Sequence, residues 1–296
     1  MKEYRDNLKD VLGLEFILHG EQVSKHFGTQ YFKTEDNEYL SYSRLGKPES
    51  KNILIYLNGL ESHSGWFCEV ANELLSGDVV TYGLDRRGSG LNSKIIGNYQ
   101  SWVDDVDNAV NIAKTENPGA KVHLTSLCFG AKIASAYAIQ NPDKVDSLIY
   151  LSPGFSVKVS PSFKEKLKIG RARFFGSRER IPSPIKRDTM FTSSRKYLEF
   201  LQKDKLRSHD LDAKDFWEAK LIDKYVLKNL NKIEIPSLVF LAGKDEIVDN
   251  RKTKKILNKF GRKPIIVEYP NSEHTIFFGE DKSKLTLDIL TFIKNR

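Results

Sequence analysis

A short apolar run that leads at once into a helix-forming stretch constrains this chain more than any other feature. The run covers residues 122–127 and the helix-forming stretch covers residues 132–138. Between them stands Cys128, with small residues two positions before and after it, Ser126 and Gly130. Small side chains at these positions are what a sharp, strained backbone turn requires. The pattern therefore predicts a strand that turns abruptly into a helix, with Cys128 at the apex of the turn.

Ser126 is the alternative nucleophile in this segment. If Ser126 stood at the apex, the residues two positions before and after it would be Leu124 and Cys128, whose side chains are too bulky for the turn. A second alternative is that Cys128 is buried and unreactive, since free cysteine is among the most buried residue types. A nucleophile at the apex of a strand–turn–helix unit is typical of the α/β-hydrolase fold. The partners that such a nucleophile needs must therefore decide between these interpretations.

The composition excludes several classes of protein. The chain has 296 residues, enough for one large α/β domain with an insertion or for two small domains. It contains no apolar stretch close to the ~20 residues of a membrane span, and residues 1–20 carry scattered charges unlike a secretory signal. The two cysteines, Cys68 and Cys128, give neither a disulfide framework nor a zinc-binding spacing. These features predict a cytoplasmic protein without a metal ion or cofactor.

The order of apolar runs predicts the architecture. After an N-terminal helix, two alternating segments at 30–33 and 38–43 suit an antiparallel hairpin. Continuous apolar runs separated by helical stretches follow, and such runs are typical of strands buried on both faces of a parallel sheet. These runs lie at residues 52–57, 78–82, 122–127, 147–151, 237–241 and 264–269. The chain is therefore predicted to form an α/β-hydrolase fold, with a mostly parallel eight-stranded sheet flanked by helices.

Residues 153–235 interrupt this order. They have helical periodicity and no run that resembles a core strand, so we predict an inserted helical cap there and a hydrolase core formed by residues 1–152 and 236–296. Within the insertion, residues 158–187 contain ten basic and two acidic side chains, a net charge of +8 that equals the charge of the whole chain. We call residues 158–187 the basic segment.

Two further residues complete a catalytic set in the order that the fold requires. Asp245 follows the seventh predicted strand and His274 follows the eighth. Cys128 would attack a carbonyl carbon, His274 would transfer protons, and Asp245 would orient the imidazole. Glu246 and Asp249 are close enough in sequence to be alternatives to Asp245.

An acyl-transfer site also needs two backbone N–H donors for the developing oxyanion. One is expected from Phe129, the residue after the nucleophile. The other is expected from the loop at residues 58–66, where Gly59 permits a tight turn and the amide of Leu60 is the better placed. Removing such a donor costs about 3–4 kcal/mol of transition-state stabilisation.

Four motifs together carry a family resemblance. Residues 58–66, NGLESHSGW, resemble the HGxxEHSGRY segment of monoglyceride lipases and related lysophospholipases, and residues 84–93 resemble their D-x-R-G-H-G-x-S motif. With the turn at Cys128 and the segments of Asp245 and His274, the resemblance spans roughly residues 28–292. It implies cleavage of a lipid-like ester, with Leu60 and Phe129 as oxyanion donors. The chain departs from the family where Asn58 and Ser89 replace histidines and Cys128 replaces serine.

A cysteine nucleophile widens the range of reactions. Its acyl-enzyme is a thioester, which transfers its acyl group to amines, thiols or alcohols as well as to water. We therefore expect hydrolysis of a lipid-like ester or acyl thioester, with acyl transfer from an acyl carrier or coenzyme A as the first alternative. A non-catalytic ligand-binding homologue is the alternative of another class, although the presence of Asp245 and His274 argues against it.

The basic segment has three interpretations. It is a solvated lid face, a peripheral contact with an anionic membrane surface, or a docking site for coenzyme A or an acidic acyl-carrier protein. The membrane interpretation rests on aromatic and aliphatic residues interleaved with the charges: Phe155, Phe163, Leu167, Ile169, Phe174 and Phe175. The basic side chains expected to bind a substrate or partner are Lys164, Lys166, Lys168, Arg171 and Arg173. No recognition motif for nucleic acid is present, so nucleic acid is not an expected partner.

Overall fold

A computed structural model of the chain describes residues 27–175 and 179–296. The predicted N-terminal helix lies outside these ranges. An eight-stranded sheet forms the centre of the molecule, in the order β1-β2-β4-β3-β5-β6-β9-β10. Its strands are β1 (Phe27–Lys33), β2 (Tyr39–Leu45), β3 (Asn52–Leu57), β4 (Val79–Leu84), β5 (Lys121–Leu127), β6 (Ser147–Leu151), β9 (Ser237–Ala242) and β10 (Ile265–Tyr269). At one edge, β1 pairs antiparallel with β2 and β2 pairs antiparallel with β4. The six strands β4, β3, β5, β6, β9 and β10, in their order across the sheet, are parallel to one another.

Helices cover both faces of the sheet and lie over its ends. They are α1 (Cys68–Leu74), α2 (Tyr99–Glu116), α3 (Gly130–Gln140), α4 (Phe163–Phe175), α5 (Arg195–Lys203), α6 (Ala213–Lys228), α7 (Asn250–Leu257) and α8 (Lys282–Lys294). Two hydrophobic clusters result, one on each face, because the side chains of β3, β5, β6 and β9 alternate between them. This double burial explains why the central strands are apolar throughout. The predicted α/β-hydrolase architecture is confirmed.

The chain between β6 and β9 adds no strand to the central sheet. It forms α4, α5 and α6 together with two three-residue strands, β7 (Arg180–Pro182) and β8 (Asp210–Asp212), which pair with each other. The sequence showed no sign of these strands, since three residues are too few for a periodic pattern. Helix α4 packs against α6 through a small apolar cluster that includes Ile169 and Ala172. The limits of the cap at residues 153 and 235 stay a prediction.

The parallel arrangement of the strands determines which edge of the sheet carries the candidate site. Strands β3, β5, β6, β9 and β10 run in the same direction, so their carboxyl ends meet along one edge of the sheet. The loops after β3, β5, β9 and β10 contain the residues that were predicted to form the catalytic set and the oxyanion donors. Among the described residues, no helix has the length and apolar character needed to cross a membrane.

Candidate active site

Cys128 occupies the turn between β5 and α3 in a left-handed backbone conformation. Its φ is +50°, an uncommon and strained value for a residue with a side chain. The turn is held because the Cys128 N–H donates to the Leu151 carbonyl at 3.0 Å and the Gly154 N–H donates to the Cys128 carbonyl at 2.8 Å. A Cβ on Gly130 would lie 2.5 Å from the Leu57 carbonyl oxygen. The turn therefore needs glycine at position 130 because α3 begins against the end of β3.

Ser126, the alternative nucleophile, lies within strand β5 and is fully buried. Its hydroxyl oxygen has no hydrogen-bond partner among the described residues and does not line the cavity at the site. Cys128 is also mostly buried, with 7% of its surface exposed, but its exposed part opens into that cavity. The two residues therefore differ in whether a substrate in the cavity can reach them, and only Cys128 can be reached.

Asp245 and His274 lie together beneath the turn. His274 Nδ1 is 2.8 Å from Asp245 Oδ2, and both side chains are buried. The other carboxylate oxygen of Asp245 accepts 2.8 Å hydrogen bonds from the amides of Ile247 and Val248, which hold the carboxylate in place. The backbone of His274 is held as well, since Ser152 Oγ donates to its carbonyl at 2.7 Å.

The two alternative carboxylates bind other groups. Glu246 is exposed and accepts from Arg187 Nη2 at 2.6 Å. Asp249 caps helix α7 by accepting from the Lys252 amide at 3.0 Å. Asp245 is therefore the carboxylate of these three that the fold brings to His274.

The electrostatics of His274 favour its charged form. Burial lowers the pKa of the imidazole, but the Asp245 carboxylate and the Cys128 sulfur raise it, by charge and by hydrogen bonding, to about 10. His274 thus interacts with both other members of the set. This arrangement can accept a proton from the thiol and keep it until a leaving group needs it.

The two expected oxyanion donors line the same cavity as Cys128. The backbone amides of Leu60 and Phe129 donate to no protein acceptor within the described ranges. Phe129 precedes the first residue of α3, so its N–H is one of the unpaired donors at a helix start. Gly59 is held by a 2.8 Å hydrogen bond from its amide to Ser62 Oγ, which shapes the loop that presents Leu60.

Arg86 supports both donor residues, a role that sequence reasoning missed. Its side chain is buried, and the guanidinium donates to the Leu60 carbonyl at 3.4 Å and lies 5.4 Å from the centre of the Phe129 ring. Burial lowers the pKa of Arg86, and the nearest carboxylate, Asp215, is 3.9 Å away. Arg86 occupies the variable second position of the D-x-R-G-H-G-x-S motif, where Arg87 matches the arginine, so the motif gave no signal for Arg86.

Two more buried pairs join the loop after β3 to the chain between β6 and β9. Arg207 donates twice to Glu61 Oε2, at 2.7 and 2.9 Å. The carboxylate of Asp204 lies 3.0 Å from His63 Nε2 and accepts from Trp66 Nε1 at 2.8 Å. These contacts fix the loop that contains Leu60, and the partners lie too far apart in sequence for a local pattern to reveal them.

The cavity at the site has a volume of about 250 Å³ and a mostly apolar lining. Its floor is formed by Cys128, Leu60 and Phe129. Its walls come from the segment after β6 and from α4 and α6. The residues of these walls include Gly154, Val157, Val159, Pro161, Ile169, Pro184, Ile185, Phe216 and Ala219. Such a cavity suits an acyl chain next to the nucleophile.

Among the predicted partner-binding residues, Lys164, Lys166, Lys168 and Arg171 lie on α4 with exposed side chains, and the side chain of Arg173 lies outside the described part. Of these, Lys166 lines the cavity. Phe163 and Leu167 are 76% and 56% exposed beside them, whereas Phe155 and Ile169 are buried. The apolar surface of the basic segment is therefore smaller than its sequence suggested. No group of His, Cys, Asp or Glu suited to a metal ion occurs in the ranges described.

Residues 48–281 match the family described as serine aminopeptidase, S33. The match covers well over half of the chain. The chain belongs to this family. The predicted resemblance to monoglyceride lipases and lysophospholipases is confirmed, and so is the prediction of a hydrolase of the lipase and esterase type.

Similar proteins and solved structures agree with this assignment. A protein named probable lysophospholipase L2 of Haemophilus influenzae is 24% identical, over 87% of this chain and 88% of its own length. A monoglyceride lipase homolog of monkeypox virus is 25% identical, over 88% and 96%. Among solved structures, a soluble variant of the Saccharomyces cerevisiae monoglyceride lipase superposes with a TM-score of 0.76 at 16% identity, over 91% and 96%. At that identity the structural likeness supports the fold alone.

Proposed function

We propose that this S33-family hydrolase cleaves a lipid-like ester or acyl thioester through a cysteine nucleophile, with Cys128, His274 and Asp245 as its catalytic residues. The observation that carries the proposal is the position of His274, whose imidazole is 2.8 Å from the Asp245 carboxylate and is influenced electrostatically by the Cys128 sulfur. A non-catalytic homologue would have no need of this arrangement. The names of the relatives, lysophospholipase and monoglyceride lipase, support a lipid ester as the substrate class.

In the first half of the proposed reaction, the Cys128 sulfur attacks the carbonyl carbon and forms a C–S bond. His274 holds the thiol proton, and the amides of Leu60 and Phe129 donate hydrogen bonds to the carbonyl oxygen as it becomes negative. His274 then gives the proton to the leaving oxygen or sulfur, and the bond between that atom and the carbonyl carbon breaks. The products are an alcohol or thiol and a thioester on Cys128.

In the second half, water attacks the thioester carbonyl and His274 accepts the proton that the water loses. The C–S bond breaks, a carboxylic acid leaves, and the proton returns from His274 to the Cys128 sulfur. Asp245 stabilises the imidazolium in both halves through its 2.8 Å contact. An alcohol, amine or thiol in place of water would give acyl transfer, so the two outcomes share every step up to the thioester.

We further propose that residues 153–235 act as a cap over the cavity. The walls of the cavity that come from α4, α6 and the residues around Pro184 belong to this range. The exposed Phe163 and Leu167 beside the lysines of α4 support a peripheral contact with an anionic membrane surface, from which a lipid ester could enter. The same positive charge would also suit coenzyme A or an acidic acyl carrier as the acyl donor.

The intact mass of the protein, followed in time after mixing with p-nitrophenyl butyrate, tests this proposal. We expect a transient adduct of one butyryl group on the wild type and none on Cys128→Ala. Equal decay of the adduct in buffer and with added glycerol, amine or thiol would identify a hydrolase, and faster decay with one acceptor would identify a transferase. An adduct or turnover that persists in Cys128→Ala would show that the nucleophile is another residue.

A further inference from the structure

Three lysines line the cavity that contains Cys128, and each comes from a different helix. Lys132 is in the first turn of α3, Lys166 is on α4 and Lys220 is on α6. Among the described residues of the lining, Asp223 is the one carboxylate. With three positive charges and one negative charge, this described lining carries a net charge of +2 within walls that are otherwise mostly apolar. A neutral lipid ester would not explain this charge.

The three lysines differ in how they are neutralised. The side chain of Lys132 is 12% exposed and its amine lies 3.0 Å from Asp223 Oδ1, so this pair is nearly balanced. Lys166 and Lys220 form no ion pair with any carboxylate in the described part of the chain, although the Lys220 amine lies 5.8 Å from the centre of the Trp217 ring. Within the described part of the chain, the cavity therefore offers two cationic amines that no carboxylate neutralises.

Amines in such a position favour a negatively charged ligand. Lys166 and Lys220 line the cavity with exposed side chains, so each ammonium can donate a charge-assisted hydrogen bond to an anionic oxygen of a ligand. The +8 basic segment, which contains Lys166, adds a field of the same sign around the entrance. A cavity lined by one sign of charge raises the local concentration of oppositely charged ligands.

We propose that Lys166 and Lys220 form an anion-binding subsite in the substrate cavity, so that the preferred acyl substrates carry a carboxylate or phosphate group. This inference rests on the proposed function, since it assumes that the substrate of Cys128 occupies this cavity. Lys132 stays paired with Asp223. The apolar walls hold the hydrocarbon part of the substrate, and the two free amines hold its charged group.

Binding of short amphiphiles to the full chain tests the subsite without requiring turnover. Hexyl phosphate, heptanoate and 1-hexanol share one six-carbon hydrocarbon chain and differ in the head group, and titration calorimetry measures the affinity of each. We expect the better of the two anions to bind roughly tenfold more tightly than 1-hexanol, since each exposed ion contact contributes at most about fivefold. Whichever anion binds more tightly identifies phosphate or carboxylate as the group that the subsite selects.

A matched pair of double variants separates the subsite from the general charge of the protein. Lys166→Met with Lys220→Met removes the two cavity amines, whereas Lys224→Met with Lys228→Met removes the same charge from exposed positions on α6 outside the cavity. We expect the first pair to abolish most of the preference for the anion and the second pair to retain it. Equal affinity of all three ligands for the wild type, or equal loss in both double variants, would overturn the proposal.

Ester kinetics connect the subsite to catalysis. The two substrates compared are p-nitrophenyl hydrogen glutarate, which carries a carboxylate, and p-nitrophenyl butyrate, which is neutral. The ratio of kcat/KM for the first to kcat/KM for the second should fall several-fold in the cavity double variant. The ratio should also fall with increasing salt in the wild type, because salt screens the lysines. If Cys128→Ala still turned over the neutral ester at the rate of the wild type, the proposed function would be contradicted. If turnover required Cys128 but the ratio were the same in the wild type and the cavity double variant, the subsite alone would be contradicted.

Discussion

Asn58 and Ser89 are hydrogen-bonded to each other, with Asn58 Nδ2 donating to Ser89 Oγ at 3.1 Å. Both side chains are buried, and both stand where the motifs of monoglyceride lipase-like proteins have histidine. Asn58 Nδ2 also donates to the Ser62 carbonyl at 2.5 Å, and Asn58 Oδ1 accepts from the Arg86 amide at 3.1 Å. The two departures from the family pattern therefore form one contact, which joins the loop after β3 to the loop after β4.

Asn58→Ala should lower the free energy of unfolding by about 1–3 kcal/mol, because it leaves the buried Ser62 carbonyl and Arg86 amide unpaired. Ser89→Ala should cost about 1 kcal/mol. Urea denaturation of the two single variants and the double variant forms a double-mutant cycle. We expect a coupling energy of at least about 0.5 kcal/mol, and strictly additive effects would show that the contact contributes no stability.

Asp245→Asn should remove most of the activity and change how stability depends on pH. The loss of kcat should be about 10³–10⁴-fold, since the imidazolium that forms during the reaction loses its counter-charge. The pKa of His274 is raised from an ordinary value of 6.5 to about 10 in the folded chain. Its protonation therefore stabilises the fold fully below pH 6.5, and this contribution is lost as the pH rises toward about 10.

Urea denaturation at pH 6, 7.5 and 9 checks the pH dependence. The wild type should lose stability across this range, and Asp245→Asn should lose less because the pKa of His274 is then closer to its ordinary value. Asp107→Asn is a control of the same chemical type, because burial raises the pKa of that carboxyl less than the hydrogen bonds from Lys144 and Tyr137 lower it, so it stays ionised across this range. Parallel curves for the wild type and Asp245→Asn would contradict the assignment of the raised pKa to Asp245.

Gly130→Ala should destabilise the fold by about 1–3 kcal/mol, because the new Cβ would lie 2.5 Å from the Leu57 carbonyl oxygen and 2.8 Å from that of Asn58. Gly170→Ala is the matched control, since Gly170 is also helical but has no heavy atom within 4 Å of its added Cβ. That variant should gain about 0.5–1 kcal/mol from helix propensity. Thermal unfolding compares them, and equal effects of the two substitutions would be inconsistent with a steric requirement at the turn.

Iodoacetamide should alkylate Cys128 and leave Cys68 unmodified in the folded protein. Their exposed fractions are nearly equal, 7% and 5%, so access to the cavity and not exposure distinguishes them. Burial and the charge of Glu69 raise the pKa of the Cys68 thiol, which keeps it in the unreactive form. Peptide mass mapping at pH 7.5 checks this, with Cys68→Ala expected to take up one label and Cys128→Ala none. Comparable labelling of Cys68 would contradict the prediction.

Arg207→Met should destabilise the chain by about 3–5 kcal/mol, because it leaves the buried Glu61 carboxylate without the guanidinium that donates to it twice. Adding Glu61→Gln should restore more than half of that loss, since the remaining group is then neutral. Denaturation of the single and double variants measures the recovery. If the double variant is as unstable as Arg207→Met, packing and not charge explains the effect. Because Glu61 follows Leu60, kcat/KM should fall as well.

Local patterns accounted for the parts of the site that follow one another along the chain. The turn at Cys128 depends on the side chains within two residues of it, so the sequence around Ser126 and Gly130 is enough to predict the turn. The strands were predictable because a strand buried on both faces must be apolar throughout. The order of the residues after β9 and β10 indicated Asp245 and His274, but the choice among three neighbouring carboxylates needed coordinates. That choice depends on which of the three carboxylate side chains points toward His274, and neighbouring residues of a chain point in different directions.

The fold and the residue at the apex of the turn could be predicted from the chain alone, because they follow from hydrophobic periodicity and short-range steric rules, and the family could be predicted because four motifs resemble those of known lipases. Which distant residues share an environment became clear only from the coordinates. Asn58 meets Ser89 across 31 positions and Arg207 meets Glu61 across 146, and Lys166 and Lys220 line one cavity from two helices. The physical reason is that buried polar contacts depend on how elements pack, and packing brings together residues whose separation along the chain follows no period.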